Sequence, residues 1–475
     1  MAERTYDVVV IGGGSTGENV AQRAARGGCR AVVVEAELVG GDCSYWACMP
    51  SKSLLRPAQA LAEARAVAGA TDAITGSLNV DAVLARRNRF VHDWDDASQV
   101  SWLDDNGLDL VRGHARLAGD RRVVVDQGDG ASIELRATAA VSVCTGSRAA
   151  VPPVPGLADA RPWTSRDATS AASVPPRLAI VGGGVVACEM ATAFASFGSQ
   201  VTVFERGSRM LGAIPAFAAA AVSSSLRDMG VQVELGTELE RAIRRPDGTV
   251  ELAVGGETRV CDEILVAAGR QPRTDDLGLE TVGLEPGSWL DVDDHLQVTG
   301  ADGGWLYAAG DVTHRALLTH MGKYQGRVCG DVIAARAAGK PEVDDEPWSR
   351  WCATADARAV PQVIFTIPEV ASVGLTEDQA RAAGLNVTTA AYDLANVAGA
   401  GLYADDYAGR AEIVLDTERR TLVGMTLVGP GVGELIHAAT VAVVGEVPLE
   451  RLWHAVPSYP TIAEVWLRLL EDLGL

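Results

Sequence analysis

The sequence predicts an α/β fold with two similar Rossmann-type units, followed by a C-terminal α+β domain. Residues 7–35 have the pattern of a buried strand, a glycine-rich turn, a helix and a second strand. Residues 178–205 repeat that pattern, which indicates two copies of one structural unit. From about Glu346 the pattern changes to alternating apolar runs, such as 411–415 and 421–425, which favour an antiparallel sheet with helices on one side.

The composition is typical of a large, acidic, globular protein. The 475 residues are enough for about three domains, and 48% of them are hydrophobic and 22% charged. The formal net charge of -21 would repel nucleic acid and anionic membranes, so we expect neither as a partner. The first apolar run, Asp7–Ile11, is too short for a signal sequence or a membrane span. We therefore expect a cytoplasmic protein.

The first glycine-rich turn has the spacing of a dinucleotide-binding fingerprint. Glycines between a strand and a helix allow a tight turn and the close approach of a pyrophosphate to the helix N-terminus. An acid at the end of the next strand accepts a hydrogen bond from a ribose hydroxyl, and Glu35 lies 23 residues after Gly12. The predicted cofactor-binding residues here are Gly12, Gly14, Ser15, Thr16, Gly17 and Glu35.

The second copy predicts a nicotinamide-dinucleotide site. Its predicted binding residues are Gly182, Gly184, Ala187 and Glu205, and Glu205 again lies 23 residues after the first glycine. A carboxylate in that position accepts from the 2′-OH of NAD and repels the 2′-phosphate of NADP, so we expect NADH to be preferred. The arginines at 206 and 209 could bind that phosphate, which leaves NADPH as the alternative.

Two cysteines, Cys43 and Cys48, lie between a glycine pair and an Ala/Leu-rich run that begins after Pro50. We predict a loop that closes into a helix, with both sulfurs near the first turn of that helix. The unpaired N–H groups and the helix dipole there would lower the pKa of either thiol, and a tight loop can bring the two Cα atoms within disulfide range. A redox pair is therefore expected. The alternative for an isolated pair is two small side chains that pack a helix start.

The other six cysteines are scattered singly among apolar neighbours. This distribution predicts buried thiols in a reducing compartment and no framework of structural disulfides. The sequence also lacks the Cys/His spacing of a zinc site, so no metal is expected. The six are Cys29, Cys144, Cys188, Cys261, Cys329 and Cys352.

The segment Gly40–Lys52 resembles the redox-disulfide signature of the class I FAD-dependent pyridine nucleotide–disulfide oxidoreductases, which include dihydrolipoamide dehydrogenase, glutathione reductase and mercuric reductase. The match includes the glycine pair, both cysteines and the run Pro50-Ser51-Lys52. The resemblance extends over essentially the whole chain and implies FAD in the first unit, NAD(P) in the second and a homodimer. The implied domains are residues 1–152 (FAD, with the cysteine pair), 153–275 (NAD(P)), 276–345 (FAD, second part) and 346–475 (dimerisation).

The resemblance also implies catalytic roles. In the family, hydride passes from nicotinamide to flavin and leaves through the disulfide. By this analogy Cys48 would be the sulfur against the flavin, and Cys43 the outer thiol that meets the substrate. Lys52 and Glu189 match an ion pair beside the flavin N5, although two solvated charges would give the same sequence. Further cofactor contacts are implied for Gly41, Cys43, Lys52, Ala115, Gly146, Gly269 and Asp311, of which Asp311 matches the carboxylate that binds the ribityl chain.

The C-terminal segment departs from the family pattern. Disulfide reductases of the family present a His-Pro-x-x-x-Glu run from the partner subunit, with the histidine as acid and base. Here the run begins with Tyr459 and ends with Glu464. A free tyrosine has a pKa of about 10, a poor match for thiol proton transfer near neutral pH, so an unusual acceptor is expected. His454 could substitute if the segment bends, but a packing or surface role is favoured.

The sequence thus predicts an oxidoreductase that passes electrons between nicotinamide, FAD and Cys43–Cys48, to or from a small disulfide, dithiol or other acceptor. A first alternative is direct flavin electron transfer, as in a soluble transhydrogenase or diaphorase. The C-terminal run and Trp46 resemble the transhydrogenase, which lacks the cysteine kept here as Cys48. A standard mercuric reductase needs a C-terminal cysteine pair, and no cysteine follows Cys352. A second alternative is a redox-sensing flavoprotein without turnover.

Overall fold

The computed structural model describes residues 2–128 and 130–475. The chain divides into two compact units. The first consists of Met1–Pro50, Asn88–Arg148 and Arg270–Ala357, and the second of Ser51–Arg87, Ala149–Gly269 and Arg358–Leu475. The three boundaries between the four predicted domain segments stay a prediction.

The first unit is built on a mainly parallel sheet. The central strands carry consecutive valines that are wholly buried, as expected for parallel strands covered on both faces. In spatial order the strands are Asp109–Arg112, Ala31–Glu35, Ala2–Ile11, Ala131–Val143, Arg122–Gly128 and His114–Leu117, and Leu306–Ala308 also pairs with Ala131–Val143. Within this described sheet the antiparallel pairs are the two that Arg122–Gly128 makes, with His114–Leu117 and with Ala131–Val143. A short two-stranded sheet pairs Ser147–Ala149 with Arg270–Pro272.

Two helices of the first unit approach each other unusually closely. The helix Ser15–Arg26 packs on Thr319–Ala337 through glycines of the latter. A Cβ added at Gly326 would lie 2.6 Å from the Thr16 carbonyl oxygen, so only glycine fits there. The other helices with residues in this unit are Gly41–Tyr45, Cys48–Arg65, Val80–Phe90, Ala97–Asp105 and Ala355–Arg358.

The second unit contains a parallel sheet of the same type. Its strands, in spatial order, are Gln232–Leu235, Gln200–Glu205, Arg177–Val181 and Glu263–Val266. An antiparallel sheet of Leu239–Arg244, Val250–Val254 and Glu257–Cys261 follows. The helices of this part are Ser165–Ser170, Val185–Ser196 and Ala216–Asp228.

The C-terminal part of the second unit is an antiparallel sheet with helices. The strands run in the order Pro361–Ile364, Glu369–Gly374, Thr421–Gly429, Arg410–Asp416 and Val387–Asp393. The helices are Glu377–Ala382, Ala398–Tyr403, Ile436–Val444, Leu449–Leu452 and Val465–Asp472. The predicted fold, two Rossmann-type units and a C-terminal α+β part, is confirmed. None of the helices in the described residues has the length and apolar character needed to cross a membrane.

Candidate active site

The two cysteines lie on separate helices. Cys43 belongs to the short helix Gly41–Tyr45, and Cys48 is the first residue of Cys48–Arg65. The glycine pair before Cys43 has φ angles of 107° and 59°, which bend the chain directly into the short helix. The Asp42 carbonyl oxygen then accepts hydrogen bonds from the two amides that follow that helix. The helix predicted to follow the loop begins at Cys48, which lies in its first turn, whereas Cys43 lies on a short helix of its own where the sequence predicted a loop.

Both cysteines are free thiols and partly buried. A hydrogen bond joins the two sulfurs, and the Cys48 Sγ also lies 3.2 Å from the Thr319 Oγ1. The hydrogen bond to Cys48 and burial together raise the pKa of Cys43, while the Thr319 hydroxyl and the charge of Lys323 oppose the rise. The predicted lowering was wrong for Cys43, because contacts with the neighbouring sulfur outweigh the dipole of a five-residue helix.

The other six cysteines are buried, as the sequence predicts. Burial raises the pKa of each of these thiols, so they are inert at neutral pH.

The first glycine-rich turn fits a pyrophosphate. Gly12 has a φ of 105°, and a Cβ there would lie 2.4 Å from the Cys144 carbonyl oxygen, so no other residue fits. A Cβ on Gly17 would meet the Gly12 carbonyl oxygen at 1.9 Å. Gly14 lies at the N-cap of the helix that begins with Ser15 and Thr16, and among the described residues no side chain caps the amides of that helix. Uncapped amides at an open helix N-terminus are a ready anion site.

Glu35 lies beside this turn. Its Oε2 accepts a hydrogen bond from the Gly13 amide at 2.7 Å, and its Oε1 accepts one from the Glu37 amide at 2.7 Å. Burial raises the pKa of Glu35, while these two hydrogen bonds oppose the rise. The amides fix the carboxylate at the strand end, where the fingerprint needs a ribose acceptor.

Asp311 belongs to a hydrogen-bonded network that the sequence analysis did not find. Ser147 donates to the Asp311 Oδ2 at 2.6 Å, and the Arg270 Nε donates to the Ser147 Oγ at 2.5 Å. The Arg270 Nη2 also lies 3.4 Å from the Asp42 Oδ2, beside Cys43. Burial raises the pKa of Asp311, and the Ser147 hydroxyl opposes the rise. The arginine thus links the Asp311 carboxylate to the short helix of Cys43.

Three other predicted contacts lie in the first unit. Gly41 begins the short helix of Cys43, Gly146 has a φ of 71°, and Ala115 is buried on the strand His114–Leu117. These residues, the glycine turn and the Asp311 network lie in one compact unit with the cysteine pair. They fit a flavin dinucleotide: an anion site, a ribose acceptor and a buried carboxylate.

The second unit holds the Lys52–Glu189 pair. The Lys52 Nζ lies 2.7 Å from the Glu189 Oε2, and Glu189 is only 3% exposed. The other carboxylate oxygen accepts a hydrogen bond from the Phe365 amide at 3.1 Å, and the Lys52 Nζ lies 4.9 Å from the centre of the Phe365 ring. The alternative of two solvated charges is wrong, because the carboxylate is buried. Nothing in the sequence identified Phe365 as part of this site.

The second glycine-rich turn repeats the geometry of the first. Gly182 has a φ of 111°, and a Cβ there would lie 2.4 Å from the Ala267 carbonyl oxygen. Gly184 lies at the N-cap of the helix that contains the buried Ala187, and in the described part of the chain nothing lies within 4 Å of a Cβ at Gly184. That space and the free helix N-terminus fit a second pyrophosphate. Gly269, another predicted cofactor contact, has a φ of 132°, a conformation that favours glycine.

The residues around Glu205 bear on the choice of nucleotide. The Gly207 amide donates to the Glu205 Oε1 at 2.5 Å, which holds the carboxylate at the strand end. Arg206 and Arg209 are both exposed, and the guanidinium of Arg209 donates to the Gly212 carbonyl oxygen at 2.6 Å. One of the two candidate phosphate ligands is therefore held by its own loop.

The C-terminal segment presents its tyrosine to the outside. Tyr459 is 76% exposed, and His454 is also exposed. Glu464 accepts a hydrogen bond from Arg468 at 2.8 Å through one oxygen. The other oxygen is buried and has no hydrogen-bond partner among the described residues.

Comparison with known proteins agrees with this geometry. Residues 6–327 match the family model "Pyridine nucleotide-disulphide oxidoreductase", and residues 360–469 match the dimerisation domain of that family. A mercuric reductase of Staphylococcus aureus is 30% identical over 97% of this chain and 81% of its own length. A dihydrolipoyl dehydrogenase of Thermus scotoductus is 33% identical over 99% and 98%. The Cu(II) complex of the HOCl-induced flavoprotein disulfide reductase RclA from Escherichia coli is 26% identical, with a TM-score of 0.83 over 99% of this chain and 100% of that one.

The chain belongs to the pyridine nucleotide–disulphide oxidoreductase family. It is an oxidoreductase whose cofactors are FAD and a pyridine nucleotide, and it carries the dimerisation domain of the family. The predicted family and enzyme class are confirmed.

Proposed function

We propose that this enzyme uses NADH to reduce a small disulfide, or a related two-electron acceptor, through Cys43 and Cys48. The observation that carries the proposal is the hydrogen bond between the two sulfurs, in the unit that contains the first dinucleotide fingerprint. Bound FAD would supply the two-electron redox chemistry that connects the nicotinamide with the Cys43–Cys48 disulfide. For a disulfide acceptor, NADH, one proton and RSSR give NAD⁺ and two RSH.

The cysteines would carry the second half of the reaction. Reduction by hydride leaves the pair with two more electrons and one proton, which the observed sulfur–sulfur hydrogen bond can share. The Cys43 thiolate attacks one acceptor sulfur, forms a mixed disulfide and releases RS⁻, which takes a proton from water. Cys48 then attacks the Cys43 sulfur, and the second thiol leaves with the shared proton. This step restores the Cys43–Cys48 disulfide.

Several fixed groups would support this chemistry. The Thr319 hydroxyl, 3.2 Å from the Cys48 Sγ, is placed to donate a hydrogen bond to a thiolate there. Lys52 would supply a positive charge close to the flavin, and Glu189 and Phe365 hold its ammonium group in place. Gly12, Gly14, Ser15, Thr16, Gly17, Glu35, Gly41, Ala115, Gly146 and Asp311 would bind FAD.

The second unit would bind the nicotinamide dinucleotide, with NADH preferred. Gly182, Gly184, Ala187 and Gly269 would leave room for it. Glu205, held by the Gly207 amide, presents the negative charge that accepts from a 2′-OH and repels a 2′-phosphate. The bond from the Arg209 Nη2 to the Gly212 carbonyl oxygen supports this preference, because it takes up an N–H group that could otherwise donate to a 2′-phosphate.

A homodimer follows from the dimerisation domain. Exposed apolar side chains of the C-terminal part support it, including Leu402 at 72% exposure, Val441 at 55% and Val456 at 85%. Tyr459 and Glu464 of a second copy would then stand where the histidine and glutamate of disulfide reductases stand. A tyrosine in that place favours acceptors that need little proton transfer from the enzyme.

Replacement of Cys43 by Ser separates this proposal from direct flavin transfer. We expect Cys43→Ser to abolish NADH-dependent reduction of disulfides, with dithiobis(nitrobenzoate) as the probe, while NADH still reduces the bound flavin. Transhydrogenase activity, followed with NADPH and an NAD⁺ analogue, should be negligible in the unaltered enzyme. A variant that keeps full activity on every acceptor would show that the cysteines are not on the electron path.

A further inference from the structure

The first turn of the helix Thr319–Ala337 faces the cysteine pair. The Thr319 hydroxyl lies 3.2 Å from the Cys48 Sγ and also hydrogen-bonds to Cys43. Lys323 lies one turn further along the same helix face, because residues four apart have Cβ atoms roughly 5–6 Å from each other. Its side chain is exposed. The ammonium group of Lys323 is therefore near enough to act on the Cys43 sulfur through its charge, and it is also exposed to solvent.

Close helix packing holds this face in place. A Cβ added at Gly322 would lie 2.4 Å from the Thr16 Oγ1, and one at Gly330 would lie 2.6 Å from the Val20 carbonyl oxygen. The helix that carries Lys323 is thus locked onto the helix of the first fingerprint. Thr319 and Lys323 therefore project from a helix whose backbone position is fixed by these contacts.

Lysine is rare in this sequence. The sequence contains only three lysines, Lys52, Lys323 and Lys340. The first lies in the ion pair with Glu189, and the third is exposed just beyond the end of the Thr319–Ala337 helix. The positive charge of Lys323 opposes the rise in the pKa of Cys43 and, on the neighbouring helix, that of Glu18.

We propose that Lys323 stabilises the thiolate of Cys43, and so supplies from within the subunit the positive charge that a histidine supplies in the disulfide reductases of the family. The inference rests on the proposed function, in which Cys43 attacks the acceptor. Tyr459 occupies the histidine position and carries no positive charge at any pH. Lys323 acts through Cys43 as a positioning residue, and its charge favours acceptors with an anionic group beside the disulfide.

The groups that face Cys43 define the expected pH behaviour. Cys48 and Thr319 contact its sulfur, and Lys323 acts on it through its charge. Asp42, its neighbour in the chain, lies within 3.4 Å of the Arg270 guanidinium. Glu18 faces Lys323, Glu35 and Tyr45. Among these, Glu18 is the group whose titration could imitate an effect of Lys323.

The test is the pH dependence of Cys43 alkylation in the holoenzyme after reduction with dithiothreitol. Rates with neutral iodoacetamide and anionic iodoacetate are measured, and mass spectrometry confirms that Cys43 is the labelled residue. In Lys323→Gln the iodoacetamide rate at neutral pH should fall roughly tenfold, as the pKa of Cys43 rises by about one unit. The iodoacetate rate should fall further. Lys323→Arg should restore both rates, and the matched control Lys340→Gln should change neither.

A Lys323→Gln profile that superposes on that of Lys340→Gln would overturn the inference. A Glu18→Gln variant with the same altered profile as Lys323→Gln would overturn it too, because the effect would then come from Glu18. Chemical reduction makes this test independent of NADH. If NADH generates no new thiols in the unaltered enzyme, the proposed function fails, yet the alkylation profiles still decide the role of Lys323.

Discussion

The Lys52 ammonium and the Glu189 carboxylate form an ion pair of 2.7 Å although 137 positions separate them in the chain. The pair is fixed on the carboxylate side, because the Phe365 amide donates to the other oxygen of Glu189. A buried carboxylate that keeps its charge needs such partners, since burial alone disfavours the ionised form. A single cation is thereby held in one orientation within the second unit.

Removal of one member of this ion pair should reveal the free-energy cost of burying the other. We expect Lys52→Met to destabilise the protein by about 2 kcal/mol, less than for a fully buried pair because Lys52 is about one-third exposed. Urea denaturation measures the loss. The double variant Lys52→Met/Glu189→Leu should regain most of that stability but not the rate of flavin reduction by NADH. Equal rates in the double variant and the unaltered enzyme would exclude Lys52 from the reaction.

The two glycines of the second turn should respond differently to alanine. Gly182→Ala should destabilise the protein by about 2 kcal/mol or more, because a Cβ there meets the Ala267 carbonyl oxygen and φ is positive. In Gly184→Ala the added Cβ meets nothing within 4 Å among the described residues, so the stability of this variant should equal that of the unaltered protein. It should nevertheless raise the KM for NADH several-fold, since the pyrophosphate approaches that position. An unchanged KM would argue against a pyrophosphate at this turn.

Glu205 should set the preference between NADH and NADPH. In Glu205→Ala the ratio of kcat/KM for NADH to that for NADPH should fall by roughly tenfold or more, which corresponds to about 1.4 kcal/mol from one lost charged hydrogen bond and the lost repulsion. Arg209→Gln is the comparison, because its guanidinium is bonded to the Gly212 carbonyl oxygen, and it should leave the ratio unchanged. A tenfold loss of NADPH activity in Arg209→Gln would instead identify that arginine as a phosphate ligand.

The raised pKa of Glu18 predicts how the stability of the protein depends on pH. Burial raises the pKa of Glu18 from its ordinary value of 4.5 to about 7, while the charge of Lys323 opposes the rise. Because the folded protein holds this proton more tightly than the unfolded chain, the stability it contributes is present below pH 4.5 and is lost as the pH rises through about 7. Glu18→Gln should therefore be more stable than the unaltered protein above neutral pH, by about 2 kcal/mol, and nearly equal to it below pH 4.5. The exposed Glu285→Gln is the control, and the same stability gain in it would assign the effect to net charge.

The sequence predicted the fold well where local pattern decides structure. The valine runs at 8–10 and 32–34 are wholly buried parallel strands, because such runs fit only a sheet that is covered on both faces. The glycine turns were equally predictable. Gly12 and Gly182 stand where a Cβ would strike a backbone carbonyl oxygen, and no side chain elsewhere can compensate for that contact.

The cysteine site was harder to predict, because its chemistry depends on contacts between distant segments. The helix dipole predicted a lowered pKa for Cys43, but the hydrogen bond to Cys48 and burial raise the pKa. Thr319 and Lys323 carry no local signal, since they follow the cysteines by more than 270 positions and meet them only through the packing of two helices. The resemblance to a family suggested Lys52 with Glu189, and the structure alone added Phe365.

The measurement that tests the role of the Cys43–Cys48 pair most directly is an anaerobic titration of the purified holoenzyme with NADH, and separately with NADPH. We expect two electrons per FAD to produce a long-wavelength thiolate-to-flavin charge-transfer band and two free thiols, more readily with NADH. The Cys48→Ser variant should lose the band. If the flavin absorbance simply bleaches, with no band and no new thiols, the Cys43–Cys48 pair is not on the electron path. The enzyme would then transfer electrons directly from its flavin.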